Sequence, residues 1–91
     1  MAALDLLGRR WALRILWELR HGPLGFRALQ SACEAMSSSV LRDRLRELSD
    51  ARLVARSVGE AYVLTPLGVD LCRALAPLTH WAERWDEHLR Q

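Results

Sequence analysis

Ser37-Ser38-Ser39-Val40-Leu41-Arg42-Asp43-Arg44-Leu45-Arg46-Glu47-Leu48 decides how the chain is read, because at about 100° per residue it is a helix with two different faces. Leu41, Leu45 and Leu48 fall on one apolar stripe. About 130° around the same wheel stand Ser39, Arg42 and Arg46, a polar and cationic strip unsuited to a core. One face is expected to anchor the helix and the other to meet something anionic. The serine run supplies the N-cap, most simply Ser37 with its hydroxyl turned to the unpaired amides of the first turn. Those amides themselves attract anions.

Upstream lies a second short apolar-periodic stretch, Phe26 to Cys33, separated from the first by Glu34-Ala35-Met36. Helix, tight connection, helix is the helix-turn-helix layout. Downstream, Arg52 to Val58 and Ala61 to Leu64 are β-prone runs around Gly59-Glu60. Gly in the first central position predicts a type II′ hairpin. Such a hairpin would form a wing.

The remaining elements follow from punctuation. A short opening helix, Ala3 to Leu7, is expected to end at Gly8, and a longer one, Arg10 to Arg20, before His21-Gly22-Pro23. On the longer helix Ala12, Ile15, Leu16 and Leu19 form the core face. Thr65-Pro66 starts the last helix, Thr as N-cap and Pro at the first helical position. From there Leu67, Leu71, Ala74, Leu75, Leu78, Trp81, Ala82, Trp85 and Leu89 share about a third of the wheel. Pro77 removes a backbone donor and crowds the preceding turn, so a kink or break is expected near Ala76.

Composition bounds the possibilities. Ninety-one residues, 51% of them hydrophobic, suffice for one small core, but the surface-to-volume ratio leaves such a chain marginal and favours oligomerisation. No run approaches the ~18 uninterrupted apolar residues of a membrane span, and no charged-then-apolar leader opens the chain, so the expected location is the cytoplasm. Cys33 and Cys72 have neither CxxC nor metal spacing and are expected to be reduced, buried thiols. The net charge of +2 is unevenly spread: residues 1–57 carry ten Arg against six acids, residues 58–91 three Arg against five. The basic half is the half with the helix-turn-helix, as a nucleic-acid footprint requires. All thirteen basic residues are Arg, which suits bidentate contact to phosphate and guanine and is explained more simply by the coding bias of the source genome.

The ordered set also resembles a family, the HxlR-type winged helix-turn-helix transcriptional regulators, relatives of the MarR group. The likeness runs through Leu4 to Trp11, Ile15 to Leu19, Phe26 to Leu29, Ser37 to Leu48, Leu53-Val54 and Tyr62 to Gly68, nearly the whole chain in the right order. The resemblance implies a mostly α fold with a small β-hairpin wing, the second motif helix in the major groove, and no enzymatic activity. It implies a homodimer held by the N- and C-terminal helices, which here would engage Leu4 and Leu7 at one end and Leu78, Trp81, Trp85 and Leu89 at the other. Members that sense oxidants look to a cysteine just before the first helix; that stretch is Met1-Ala2-Ala3 here, so mild oxidation is expected to leave DNA affinity unchanged. A position often basic in the family is Ser39, and the wing is several residues shorter than usual, with Arg56 its one cation. Both differences predict weaker backbone contact.

Taken together, these readings predict one winged helix-turn-helix domain, residues 8–64 forming the DNA-binding core and 65–91 a C-terminal dimerisation helix. Its expected function is sequence-specific binding of duplex DNA as a homodimeric repressor, on an inverted repeat with recognition helices ~34 Å apart. Arg42 and Arg46, with Ser38 and Ser39, are expected to read base edges, while Arg27, the amides behind Ser37, and Arg56 hold phosphates. Trp17 is open to three readings: a singly exposed aromatic, a contact with Trp81 or Trp85 across the dimer interface, which is favoured, or the wall of a ligand pocket. His80, Glu83 and Glu87 read as a solvated helix face in preference to a metal site. No cofactor is expected, and an inducer, the operator and the regulated genes stay open. Against an enzyme stands the lack of GxSxG, HExxH, a phosphate loop or a nucleophile-base set. The alternative is a winged helix serving as a protein-interaction module, with Arg42 and Arg46 as ordinary solvated charges.

Overall fold

In the computed structural model, which spans residues 1–91, five helices surround a two-stranded hairpin. The order is α1 (Ala2–Leu7), α2 (Ala12–Leu19), α3 (Phe26–Ala32), α4 (Ser38–Asp50), β1 (Val54–Arg56), β2 (Tyr62–Leu64) and α5 (Pro66–Leu89). The expected mostly helical winged helix-turn-helix is the fold observed.

The stripe on α4 does what its spacing requires. Leu41, Leu45 and Leu48 are fully buried, and so are Ala12, Ile15, Leu16 and Leu19 of α2. With Leu29, Cys33, Met36, Leu53, Val54 and Tyr62, the three leucines of α4 and Ile15, Leu16 and Leu19 of α2 make one continuous core, in which each large buried aliphatic side chain contributes about 1.5–3 kcal/mol. α2 is shorter than the sequence predicts, since Trp11 stands before it at φ 77°. A left-handed residue cannot continue a right-handed helix, so α2 begins at Ala12. The α3–α4 connection turns through two left-handed residues, Glu34 and Ala35. It is held by Ala35 N–H donating to the Gln30 carbonyl and by Gln30 Nε2 donating to the Met36 carbonyl, at 2.9 and 2.8 Å.

β1 and β2 are antiparallel, with Val54 opposite Leu64 and Arg56 opposite Tyr62. The turn departs from the type II′ expectation. Ser57 N–H bonds the Ala61 carbonyl and Glu60 N–H bonds the Ser57 carbonyl, at 2.8 and 2.9 Å. The positive φ, 65°, falls on Glu60, and Gly59 has none. This is a three-residue loop, a type I turn closed by a left-handed residue. The sequence reading also missed a third partner: Leu24 exchanges both backbone hydrogen bonds with Tyr62, at 3.1 and 2.8 Å.

α5 runs unbroken through Pro77, so of the expected kink or break near Ala76 the break does not form. Its start is fixed by Thr65, whose hydroxyl accepts from Gly68 N–H at 3.0 Å and donates to the Arg52 carbonyl at 2.7 Å. Gly68 packs so closely on the segment between α4 and β1 that a Cβ would stand 2.2 Å from the Leu53 carbonyl oxygen. It is the one buried residue of α5, and past the first turns the helix projects outward, giving a body of 47 × 27 × 23 Å.

Two stability changes follow. Glu60→Gly removes a left-handed non-glycine residue and should raise stability by about 0.5–1 kcal/mol in thermal or urea denaturation. Gly68→Ala should lower it by about 1–3 kcal/mol, because its clash is with backbone. A neutral Gly68→Ala would show that the α5 seat is looser than the structure has it.

Candidate nucleic-acid interface

Once the leucine stripe faces inward, the rotation of α4 leaves Ser39, Arg42 and Arg46 exposed on the outside. Ser37 caps the helix as expected: its hydroxyl accepts from Val40 N–H at 3.5 Å and sits 2.9 Å from the Ser39 hydroxyl. A second restraint was not legible in the sequence. Glu47, one turn from the end of α4, takes Arg44 at 2.6 Å and Arg9, from the α1–α2 connection, at 3.0 Å. These bonds tie the recognition helix to the N-terminal segment.

The candidate residues come together from three elements. A cleft of about 590 Å³ is lined by Phe26, Arg27 and Gln30 of α3, Ser38 and Arg42 of α4, and Arg56 and Tyr62 of the hairpin. Beside it a second depression is shared by Arg42, Leu45, Arg46, Ser49, Arg56 and Tyr62. Of the expected residues, Arg27, Ser38, Arg42, Arg46 and Arg56 therefore border one continuous surface. Ser37 and Ser39 sit at the exposed start of α4 and line neither depression.

The cations differ in how they are held. Arg42 has no carboxylate partner within 4 Å and lies over the Phe26 ring, 5.2 Å from its centroid. Arg46 pairs with Asp43 at 2.7 Å, both side chains more than half exposed. Such a pair is worth little and exchanges readily for another anion. Arg56 does not extend along a wing. It folds back over Tyr62, 4.8 Å from the ring centroid, and donates to the phenol oxygen at 2.5 Å, with Glu60 at 4.0 Å. The Tyr62 hydrogen bond raises the Arg56 pKa further above its already high value. Phe26, Gln30, Ser49 and Tyr62 are the site residues that sequence reasoning missed. Their apolar or neutral character gave no signal until the fold set them beside arginine.

The expected interface residues line neither of these depressions. Trp81, Trp85 and Leu89 on α5 are 50%, 54% and 63% exposed, and the two indoles stack with centroids 5.5 Å apart. Leu78 and Leu4 are exposed as well, while Leu7 packs half-buried against the core. Trp17 is less isolated than the helical wheel implies. It lines a groove of about 280 Å³ with Leu13, Leu16, Cys72, Leu75 and Leu78 of its own chain, and the Arg20 guanidinium lies 3.4 Å from its ring centroid.

Both cysteines are thiols, Cys33 buried as expected and Cys72 only half-buried. Burial raises the pKa of each, partly offset by Arg14 at Cys33 and by Arg20 at Cys72. The arrangement assembles no cluster of three or more metal-ligating side chains, and no helix is long and apolar enough to cross a membrane.

A recognition helix capped by serine, a supporting helix, a folded-back hairpin and a cationic surface shared by all three define a helix-turn-helix protein of the winged type. Residues 6–90 match the HxlR-like helix-turn-helix family, and the chain belongs to that family, whose members are transcriptional regulators. It is 33% identical over 89 residues to the uncharacterized HTH-type transcriptional regulator YvaP of Bacillus subtilis, covering 91% of this chain and 82% of the relative. Among solved structures it is similar to quinone-bound YodB of B. subtilis, with TM-score 0.83, 32% identity, and 91% and 92% of the two chains covered. It is similar also to a possible HxlR family transcriptional factor from Thermoplasma volcanium, with TM-score 0.85, 30% identity, and 96% and 84% covered.

Thiol chemistry supplies a check on this packing. Because burial keeps both groups protonated to higher pH, iodoacetamide at neutral pH should leave Cys33 unmodified and label Cys72 more slowly than a free cysteine. Rapid labelling of Cys33 in the folded protein, read by mass spectrometry, would contradict the core described above.

Proposed function

We propose that the protein is a sequence-specific, duplex-DNA-binding transcriptional regulator that acts as a homodimeric repressor. The observation that carries this reading is the convergence of Arg27, Arg42, Arg46 and Arg56 on one surface around α4, with Arg27 and Arg42 unopposed by any carboxylate. In this reading α4 enters the major groove. Arg42 and Arg46, with Ser38 and Ser39, meet base edges; Arg27, Arg56 and the amides behind Ser37 hold phosphates. Residues 8–64 carry DNA contact and residues 65–91 carry dimerisation.

The dimer is supported by the exposed stacked indoles and Leu89 on an α5 that projects beyond its own core. A second copy laid against Leu78, Trp81, Trp85 and Leu89, joined by Leu4, Leu7 and Trp17, would cover them through a two-fold contact and place two α4 helices ~34 Å apart on an inverted repeat. Repression is then the simple consequence of a dimer occupying promoter DNA. One relative is described in a quinone-bound form; for this chain the groove beside Trp17 is a candidate site for a small-molecule signal.

Gel-shift against the DNA upstream of the protein's own coding sequence tests the reading. Arg42→Ala and Arg46→Ala should each weaken a cognate site by about 1–3 kcal/mol, whereas Arg56→Ala should weaken all duplexes alike. Equal binding of wild type and the Arg42/Arg46 double variant to every duplex would overturn it in favour of a protein-interaction module. Light scattering tests the assembly: Trp81→Ala with Trp85→Ala should convert dimer to monomer and weaken DNA binding together. A wild-type mass of one subunit at micromolar concentration would refute the two-fold contact.

A further inference from the structure

Arg56 and Tyr62 face each other across the hairpin, and their geometry differs from that of an arginine left to swing in solvent. The Tyr62 backbone is paired on both sides, to β1 through the hairpin register and to Leu24 through two hydrogen bonds. Its ring is 7% exposed and belongs to the core. A phenol so placed offers a hydroxyl whose position is set by the core and by two backbone neighbours. Arg56, whose side chain is mostly exposed, donates one Nη to that hydroxyl and sets its guanidinium carbon over the ring, 4.8 Å from the centroid, a contact to which a guanidinium is suited. The guanidinium is thereby turned from the turn tip toward α4, where it lines both depressions that Arg42 lines. Glu60, the acid near it, is 4.0 Å away and itself highly exposed.

We propose that Tyr62 is a positioning residue that holds Arg56 against the recognition helix, so that Arg56 grips a phosphate beside the bases that Arg42 and Arg46 meet. The short hairpin thus works from its root and not from its tip, at which Val58 is fully exposed. The remaining donors of the fork, not engaged by the phenol, are the ones available to a phosphate oxygen. Ordering the guanidinium before DNA arrives lowers the entropy cost of the contact.

This inference rests on the proposed DNA-binding function, and the test separates the two. Binding of a fluorescein-labelled duplex from the upstream DNA, and of a scrambled duplex of the same composition, is measured by anisotropy from low to moderate salt for wild type, Tyr62→Phe, Arg56→Ala and the double variant. Tyr62→Phe keeps the ring in the core, so circular dichroism should show an unchanged fold and nearly unchanged melting. Its affinity should nonetheless fall about 3- to 10-fold on both duplexes, and its salt slope should flatten by up to about 0.9 per subunit, the signature of one lost phosphate contact. The double variant should bind no more weakly than Arg56→Ala alone. Wild-type affinity and slope in Tyr62→Phe, or losses that simply add in the double variant, would overturn the positioning role while leaving DNA binding standing. Absence of wild-type binding to either duplex at low salt would overturn both. Arg56→Ala alters only an exposed side chain and provides the comparison even where Tyr62→Phe is destabilised.

Discussion

Burying Leu41, Leu45 and Leu48 against α2 and α3 is the constraint on which the rest of the molecule depends, since three residues on one stripe leave a helix no freedom to rotate about its axis. With those three at essentially zero exposure, the side chains on the opposite arc have no choice but solvent. Ser39, Arg42 and Arg46 occupy that arc. Glu47 adds a restraint along the axis by taking Arg44 from its own helix and Arg9 from the N-terminal connection. Hydrophobic burial sets the angle of α4, and the ion pairs join it to a segment that packing alone would leave loosely attached.

Electrostatics then selects among arginines that composition makes look alike. Thirteen cations against eleven acids leave a small net charge, but the pairing is not uniform over the surface. Arg14 is engaged by Glu18 at 2.8 Å and donates to the Ala32 carbonyl at the end of α3, so it closes a helix terminus. The Glu18 hydrogen bond raises its pKa. Arg90 is held by Asp86 and Arg73 by Asp70, both on α5. On the α3–α4–hairpin surface, Arg27 and Arg42 face no carboxylate, and the pairs that do form, Arg46 with Asp43 and Arg56 with Glu60, are exposed enough to be weak. The field of the protein is therefore concentrated where α4 is presented, although the total charge is nearly balanced.

What the sequence disclosed was local, and what it concealed was set by tertiary contact. The two faces of α4, the core face of α2, the Ser37 cap and the Thr65-Pro66 start are each written in residues within two turns of one another, where periodicity and capping act. The turn was misread because Gly59 is the residue best able to take a positive φ, yet hairpin length assigned that conformation to Glu60. Pro77 predicts a kink or a break in α5, and no break forms. The helix tolerates it on an exposed stretch, where the unpaired carbonyl can reach water. The Leu24 bridge, the Arg9–Glu47 pair and the Arg56–Tyr62 seat join segments whose proximity no periodicity encodes. Among the site residues the arginines are marked by charge, whereas Phe26 and Tyr62 stand in the sequence only within an apolar-periodic and a β-prone stretch, and it is the fold that sets their rings beside guanidinium groups.

The C-terminal helix shows how one close contact governs geometry at a distance. Gly68 brings the first turn of α5 against the Leu53 carbonyl, and Leu53 in turn lies directly between the end of α4 and the start of the hairpin. The same carbonyl accepts from Thr65 N–H at 3.0 Å. A helix of 24 residues rises about 36 Å, so a small change of angle at this seat becomes a displacement of several ångströms at Trp85 and Leu89. The core of this chain leaves those side chains uncovered, Trp81, Trp85 and Leu89 each being at least half exposed. In the proposed dimer the covering surface is a second α5, and the separation of two recognition helices is then set by two such seats in series. In that proposed dimer, a side chain at position 68 would alter the separation by forcing α5 away from the Leu53 carbonyl.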